Sequence, residues 1–236
     1  MAEPNLSLAP IYPALRPIFR SKKDSVVDAL RAAIISGELR PGKKLVIDEL
    51  AAQFGISAIP VREALQQLNA DGLIIIEPHV GATVTPIEPD LVEEVFELLE
   101  GLELMSTRRA CTRMTGEQFD ELEALVTQMD GMLDDLDAWS AMNVRLHPFI
   151  CACARIPLAQ SMLVKVLDHW NRLRKVYLKE VHAKRAHLSQ NEHWQILWAM
   201  KARDSDRLER VIRDHNRAAR DAYTAELNRA LEMEKS

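Results

Sequence analysis

The sequence has little of several residue types that mark particular classes of protein. Its 236 residues include three cysteines, an odd number that predicts no disulfide framework and suits a reducing compartment. No run of about 18 apolar residues is present, which excludes a membrane-spanning helix. The first twenty residues also lack the apolar core of a secretory signal peptide. We therefore expect a cytoplasmic protein.

Common catalytic motifs are absent as well. We find no HExxH pair, no glycine-rich phosphate loop, no nucleophile elbow and no paired carboxylates placed to act as a base. These absences predict a protein that is not an enzyme. A helical metalloenzyme with an appended domain remains the alternative, because histidines of the C-terminal part could bind a metal with open positions.

The charge is acidic overall but unevenly distributed. The formal net charge is −5, and the acidic excess lies after residue 86. An acidic surface argues against non-specific binding of nucleic acid by the whole molecule, yet a local basic footprint near the N-terminus is compatible with DNA. A solvated face explains the same charges equally well. The clustered basic residues are Arg16, Arg20, Lys22, Lys23, Arg40, Lys43 and Lys44.

The N-terminal third predicts an arm followed by a small DNA-binding fold. Four prolines favour an extended arm over residues 1–24. Three short helices follow, the second capped by Asp48 and the third by Ser57, with Pro60 tolerated in its first turn. Two β-rich runs around a short turn then predict a hairpin. Residues 25–86 are therefore interpreted as a winged helix-turn-helix.

In a helix-turn-helix the second helix of the motif lies in the major groove. Arg62 lies off the apolar stripe of that helix, so it can hydrogen-bond guanine or clamp a phosphate. Ser57 and the helix start suit a phosphate, and Gln66 could reach another base edge. In the wing, His79 and Gly81 could approach the DNA backbone or minor groove. The alternative is that Arg62 only pairs with a neighbouring acid on the surface.

Residues 25–85 resemble the DNA-binding domain of GntR-type regulators. The resemblance implies a dimeric bacterial transcription factor, usually a repressor, in which Arg62 contacts double-stranded operator DNA. Two positions depart from the pattern, since relatives commonly carry arginine where this chain has Ala58, and some carry it at Asp48. The matching segments are Gly37-Glu38-Leu39, Pro41-Gly42, Leu50-Ala51, Phe54-Gly55-Ile56-Ser57, Pro60-Val61-Arg62-Glu63-Ala64-Leu65, Gly72-Leu73 and Gly81.

The rest of the chain, residues 87–236, predicts an all-α bundle, so the fold class is mainly α. Pro86 to Pro89 is the predicted linker. Apolar residues recur at helical spacing throughout this part. The predicted helices lie near residues 88–114, 116–132, 137–154, 158–180, 187–202 and 204–231.

Three histidines of this bundle lie on apolar helix faces. His147 shares a face with Asn143, and His193 and His215 lie on the apolar stripes of two other helices. A single inward histidine is usually a hydrogen-bonded core residue, but one shared metal would satisfy three buried imidazoles together. Imidazole suits zinc, nickel, copper, manganese or iron. A metal-free bundle whose histidines only pack is the open alternative.

This part also resembles the FCD ligand-binding domain of the FadR-like branch of the same family. The matching features are Leu102-Glu103, Asn143 with Leu146-His147, Glu192-His193 and Arg213-Asp214-His215. The resemblance implies a divalent metal, most readily zinc or nickel, held by Asn143, His147, His193 and His215. It also implies a small organic-acid effector and a homodimer. Asn143 stands where many relatives carry an acidic ligand, and Leu99 where they often carry arginine.

The remaining histidines carry weaker predictions. His182 and His187 flank a basic turn and are expected to be solvated, and His169 is expected to pack beside Trp170. The function predicted from the whole sequence is a DNA-binding transcriptional regulator. Its operator affinity would be controlled by a small carboxylate metabolite in the C-terminal domain, through a bound divalent metal.

Overall fold

The computed structural model describes residues 21–176 and 179–234, so most of the predicted arm lies outside the described residues. Within the described part, the N-terminal domain has three helices and a three-stranded antiparallel sheet with strand order β1-β3-β2. The fold is a winged helix-turn-helix, as the sequence predicted. Its elements are α1 (Lys22–Ser36), β1 (Lys44–Leu45), α2 (Ile47–Phe54), α3 (Ala58–Ala70), β2 (Ile74–Glu77) and β3 (Gly81–Val84).

Two details of this domain differ from the prediction. Helix α1 begins at Lys22, because Ser21 and Asp24 form a capping box; the predicted arm therefore ends too late. Asp48 is not the cap of α2, which begins at Ile47 after Val46, and Asp48 lies in the first helical turn. An acidic side chain still favours a helix N-terminus there, through the helix dipole.

The C-terminal domain is an all-α bundle of six helices in the described part of the chain. Its first three and its last helix lie close to the predicted bounds, whereas the boundary between α7 and α8 was misplaced. Helix α8 begins at Lys179 and not near residue 187. The helices are α4 (Pro89–Arg113), α5 (Gly116–Asp130), α6 (Leu136–Cys153), α7 (Pro157–Val176), α8 (Lys179–Ala202) and α9 (Ser205–Glu234). None of the helices in the described part has the length and hydropathy that a bilayer crossing requires.

Helix α7 joins the two domains by polar contacts at the C-terminal end of α3. Arg31 of α1 bridges Asp168 of α7, at 2.6 Å, and Asp71, which caps α3. Lys165 also pairs with Asp71, at 2.7 Å. The ring of His169, expected only to pack beside Trp170, donates from Nε2 to the Asp71 carbonyl oxygen at 2.9 Å. The C-terminal end of α3 is thus held by α7.

Candidate functional site

The proposed DNA-reading residues of α3 and of the wing are all exposed. Ser57 is the N-terminal cap of α3, although its hydroxyl makes no capping hydrogen bond. Arg62 and Gln66 are exposed and lie one helical turn apart, while Val61 and Leu65 are buried beneath them. The hydroxyl of Ser57 and the first amides of the helix are therefore open to an anion such as a phosphate.

The tip of the wing has an unusual backbone conformation. His79 and Gly81 are both exposed, and both have left-handed backbone conformations, with φ of +64° and +111°. Glycine adopts such a conformation without steric cost, whereas histidine does so at a tight turn. Strand β1, which the sequence did not predict, pairs with β3 and so anchors the base of this wing.

The three histidines of the helical domain meet in its interior. His147 comes from α6, His193 from α8 and His215 from α9, and all three are buried. One ring nitrogen of each lies within 4.8 Å of the other two. The ring centroids are 5.2 to 6.1 Å apart. Residues distant in sequence are thus brought into a single cluster, which could hold a metal ion.

The surroundings of His193 indicate that this cluster suits a cation. Neither of its ring nitrogens has a hydrogen-bond partner among the described residues, and its exposure is 1%. Burial, and then the neighbouring His215 and His147, hold the pKa of His193 well below its usual range, so the imidazole is neutral. An orphaned, buried lone pair is costly unless something binds it. The donor set therefore fits a divalent metal.

Two glutamates hold the other histidines in place. Glu103 Oε1 lies 2.9 Å from His147 Nδ1, and Glu192 Oε2 lies 2.6 Å from His215 Nδ1. Burial raises the pKa of each carboxyl, but the histidine contacts, joined by Asn216 at Glu103 and by Arg185 at Glu192, outweigh it and lower the pKa overall. Carboxylates that accept from one imidazole nitrogen typically orient the other nitrogen towards a metal. The sequence prediction gave neither glutamate a role.

Asn143 lies against the same cluster. Its Oδ1 is 3.3 Å from His147 Nε2. Nδ1 of His147 faces Glu103, so Nε2 is the ring nitrogen that faces Asn143. Both Nε2 and Oδ1 are atoms that could coordinate a metal. Two ligand atoms bound to one metal at about 2.1 Å each lie roughly 3.0–3.4 Å apart, which matches the observed spacing.

A narrow cavity borders the cluster. Its volume is about 30 Å³, room for one or two water molecules. Its wall includes His147, His215, Trp170, His182 and Arg185. The expectation that His182 is solvated is wrong. Its exposure is 3%, and its ring is held between Ser140 Oγ, at 2.7 Å, and Tyr223 Oη, at 3.0 Å.

The buried His182 makes a prediction about stability. Burial, and then the charge of Arg174, lower its pKa from 6.5 to about 4, with Asp137 opposing. The unfolded chain therefore binds a proton as pH falls below 6.5 and the folded chain does not, so stability is lost between these values. Denaturant unfolding in a chelator should show wild type losing about 2 kcal/mol more than His182→Gln between pH 7 and pH 5. Equal losses in the two proteins would contradict this assignment.

The exposed recognition helix, its wing and the separate helical bundle define a helix-turn-helix transcriptional regulator. Family models agree with this class: residues 22–84 match the bacterial regulatory proteins of the gntR family, and residues 94–218 match the FCD domain. The chain belongs to the GntR family of regulators and carries an FCD domain.

Individual relatives support the same assignment. The repressor RspR of Escherichia coli K12 is 27% identical over 210 residues, which cover 88% of each chain. An uncharacterized HTH-type regulator of Agrobacterium vitis, from the TAR-I ttuE-ttuC' intergenic region, is 32% identical over 133 residues, or 53% of this chain and 77% of that protein. The structure of E. coli McbR/YncC has the same fold, with a TM-score of 0.71 and 21% identity, and covers 88% of this chain and 99% of that one.

Proposed function

We propose that this regulator is a homodimeric repressor whose affinity for its operator is controlled by a small carboxylate bound at the histidine cluster. The observation that carries the proposal is the orphaned His193 between His147 and His215. A divalent metal, zinc or nickel for this donor set, would be held by these three imidazoles and Asn143. When bound, such a metal supplies a Lewis-acidic point to which a carboxylate coordinates.

The side chains around the cluster favour binding over catalysis. Glu103 and Glu192 both accept from histidine rings, so neither is placed as a base for activating water. Arg185 lines the same cavity and contacts Glu192 Oε2 at 2.7 Å, the oxygen that also contacts His215. A positively charged guanidinium beside a metal suits an anionic ligand. The alternative, a metalloenzyme, does not explain the winged helix-turn-helix domain or the exposed residues of its helix α3.

Two copies of the DNA-binding domain are proposed to read the two halves of a pseudo-palindromic operator in the cytoplasm. Each α3 would present Ser57, Arg62 and Gln66 to the major groove, with His79 and Gly81 at the backbone or minor groove. Leu98 and Met105 on α4 are exposed and seven residues apart, on one face of the helix. Apolar side chains in this position support a contact with a second copy. Sedimentation velocity measures the oligomeric state.

The test of effector control is operator binding in the presence of defined carboxylates. An operator is first selected from random DNA and labelled with a fluorophore. It is then titrated with protein, once for each member of a panel of mono- and dicarboxylates with two to six carbons. We expect at least one of them to change operator affinity in wild type by about 5- to 150-fold. His193→Ala should lose this response yet bind operator normally without the carboxylate. A response retained in full by His193→Ala would show that the effector binds elsewhere.

The route from the cluster to the DNA is proposed to be α7. One side of this helix places Trp170 and Leu167 against the cavity, and its other side places Asp168 against Arg31 and Lys165 against Asp71. A ligand that displaces Trp170 therefore shifts the contacts that hold the end of α3. This is a local movement with a direct structural connection to the recognition helix.

Breaking the contact between α7 and α1 should weaken this coupling. Asp168→Asn removes one ion pair of Arg31 and leaves its pair with Asp71. We expect the carboxylate-induced change in operator binding free energy to shrink by about 1 kcal/mol, measured in the same titration. Glu123→Gln, which breaks the Lys201 ion pair far from the domain boundary, is the matched control. An equal effect of both substitutions would argue against α7 as the route.

A further inference from the structure

A second, larger cavity lies where the two domains meet. Its volume is about 360 Å³, at the lower end of the range for sites that bind small molecules. Ser36, the last residue of α1, contributes to its wall from the DNA-binding domain. The helical domain contributes Leu136 and Asp137 from the start of α6, Arg174 and Lys175 from the end of α7, and His182. This junction cavity is distinct from the histidine cluster.

Arg174 is the unusual residue of the junction cavity. It is 6% exposed, and its Nε has no hydrogen-bond partner among the described residues. Its guanidinium lies 5.9 Å from the centre of the Trp170 ring, and one terminal nitrogen contacts Asp137 at 3.1 Å. The Asp137 side chain is 84% exposed. A buried guanidinium whose carboxylate partner, Asp137, is itself largely exposed to water can exchange that partner for another anion.

The other residues of the cavity wall also favour an anion. Lys175 adds a second positive charge, and Leu136, the first residue of α6, lines the cavity as well. His182 and Ser36 supply neutral polar groups. Asp137 is the one acidic side chain among the described residues of this wall. An anion that displaces Asp137 from Arg174 would meet the two cations Arg174 and Lys175 together.

We propose that the junction cavity is a second, metal-independent site for a small anion carrying a phosphate or carboxylate group, held by Arg174 and Lys175. Its occupant would contact both domains through Ser36 and Arg174. The junction cavity shares His182 with the wall of the cavity beside the histidine cluster, but its site does not need His147, His193 or His215. Two ligands could therefore act on this regulator through different positions.

Calorimetry and tryptophan fluorescence on the full chain test this proposal. The protein is titrated with inorganic phosphate and, in a separate experiment, with citrate. Chloride keeps the ionic strength constant in both experiments. The phosphate titration also contains a chelator. Trp170 lies under Arg174, so its emission should change on binding. We expect saturable binding of at least one anion below about 10 mM, a modest affinity of the kind that few charged contacts give. Saturation by phosphate alone indicates a phosphorylated ligand, and saturation by citrate alone a polycarboxylate.

Variants locate the bound anion. Arg174→Gln and Lys175→Glu should each raise the dissociation constant of the anion at least tenfold. Because Lys175 is only partly buried, its variant tests the proposal even if Arg174→Gln fails to fold. Lys22→Glu, at the other end of α1 and about 21 Å from Ser36, is the matched charge reversal and should leave binding unchanged. His147→Ala should also leave it unchanged. No saturable binding of either anion, or binding unaffected by Lys175→Glu, would overturn the proposal.

Discussion

Arg62→Ala is expected to lose specific operator binding while the fold and oligomeric state stay intact. Arg62 is exposed on α3, so its removal leaves no cavity in the buried core of the domain. A bidentate contact from arginine to guanine contributes about 1–3 kcal/mol. A dimer loses two such contacts, so affinity should fall by at least about thirtyfold. Fluorescence anisotropy with labelled operator measures this, and circular dichroism and sedimentation verify the fold and assembly.

A second substitution at the same position separates base reading from phosphate contact. Arg62→Lys keeps the positive charge but loses the planar fork that matches guanine. If Arg62 reads a base, Arg62→Lys should be nearly as weak as Arg62→Ala on the operator, yet bind random DNA like wild type. If it clamps a phosphate, the lysine variant should recover most of the affinity. Native affinity in Arg62→Ala would refute a role in DNA binding altogether.

The other large effect is expected at the histidine cluster. Protein purified without a chelator or affinity tag should contain about one divalent metal per chain, and His147→Ala should contain almost none. A metal present at about 100 times its dissociation constant adds roughly 2.7 kcal/mol to the free energy of unfolding. Chelation should therefore lower the melting temperature of wild type by about 5–10 °C. Mass spectrometry of the metal and a thermal melt give the two readouts.

Two variants make the metal experiment decisive. Glu103→Gln removes the carboxylate that orients His147 but retains all four proposed ligands, so metal affinity should fall by about 10- to 100-fold and not vanish. In His147→Ala the chelator should no longer change the melting temperature. Metal-free wild-type protein whose stability is indifferent to both metal and chelator would show that Asn143 does not complete the site, and that the histidines only pack.

Much of the architecture could be read from local sequence. Helix caps, glycine stops and apolar periodicity act over a few residues, so the winged helix-turn-helix and the six helices of the bundle were all predictable. The exposure of Arg62 followed from the stripe formed by Val61 and Leu65. The inward positions of His147, His193 and His215 followed from the same periodicity, because a helix face is determined by spacing alone.

His182 shows where local reasoning failed. The basic residues Lys184 and Arg185 suggested a solvated turn, and α8 was expected to begin only near residue 187. The helix in fact begins at Lys179. His182 then falls on the same buried face as Ala186 and His193, which helical spacing would have indicated had the boundary been right. An error in a helix boundary therefore became an error about a buried polar residue.

Sequence by itself thus determined the class of domain, the exposed position of Arg62 on α3 and the three inward histidines, because each depends on residues close together in the chain. Only the tertiary structure decided that Glu103 orients His147, that Glu192 orients His215, and that α7 holds the end of α3. These contacts join segments far apart in sequence, and no periodic pattern encodes which helix packs beside which. The junction cavity has the same origin, since its walls come from four separate helices brought together by folding.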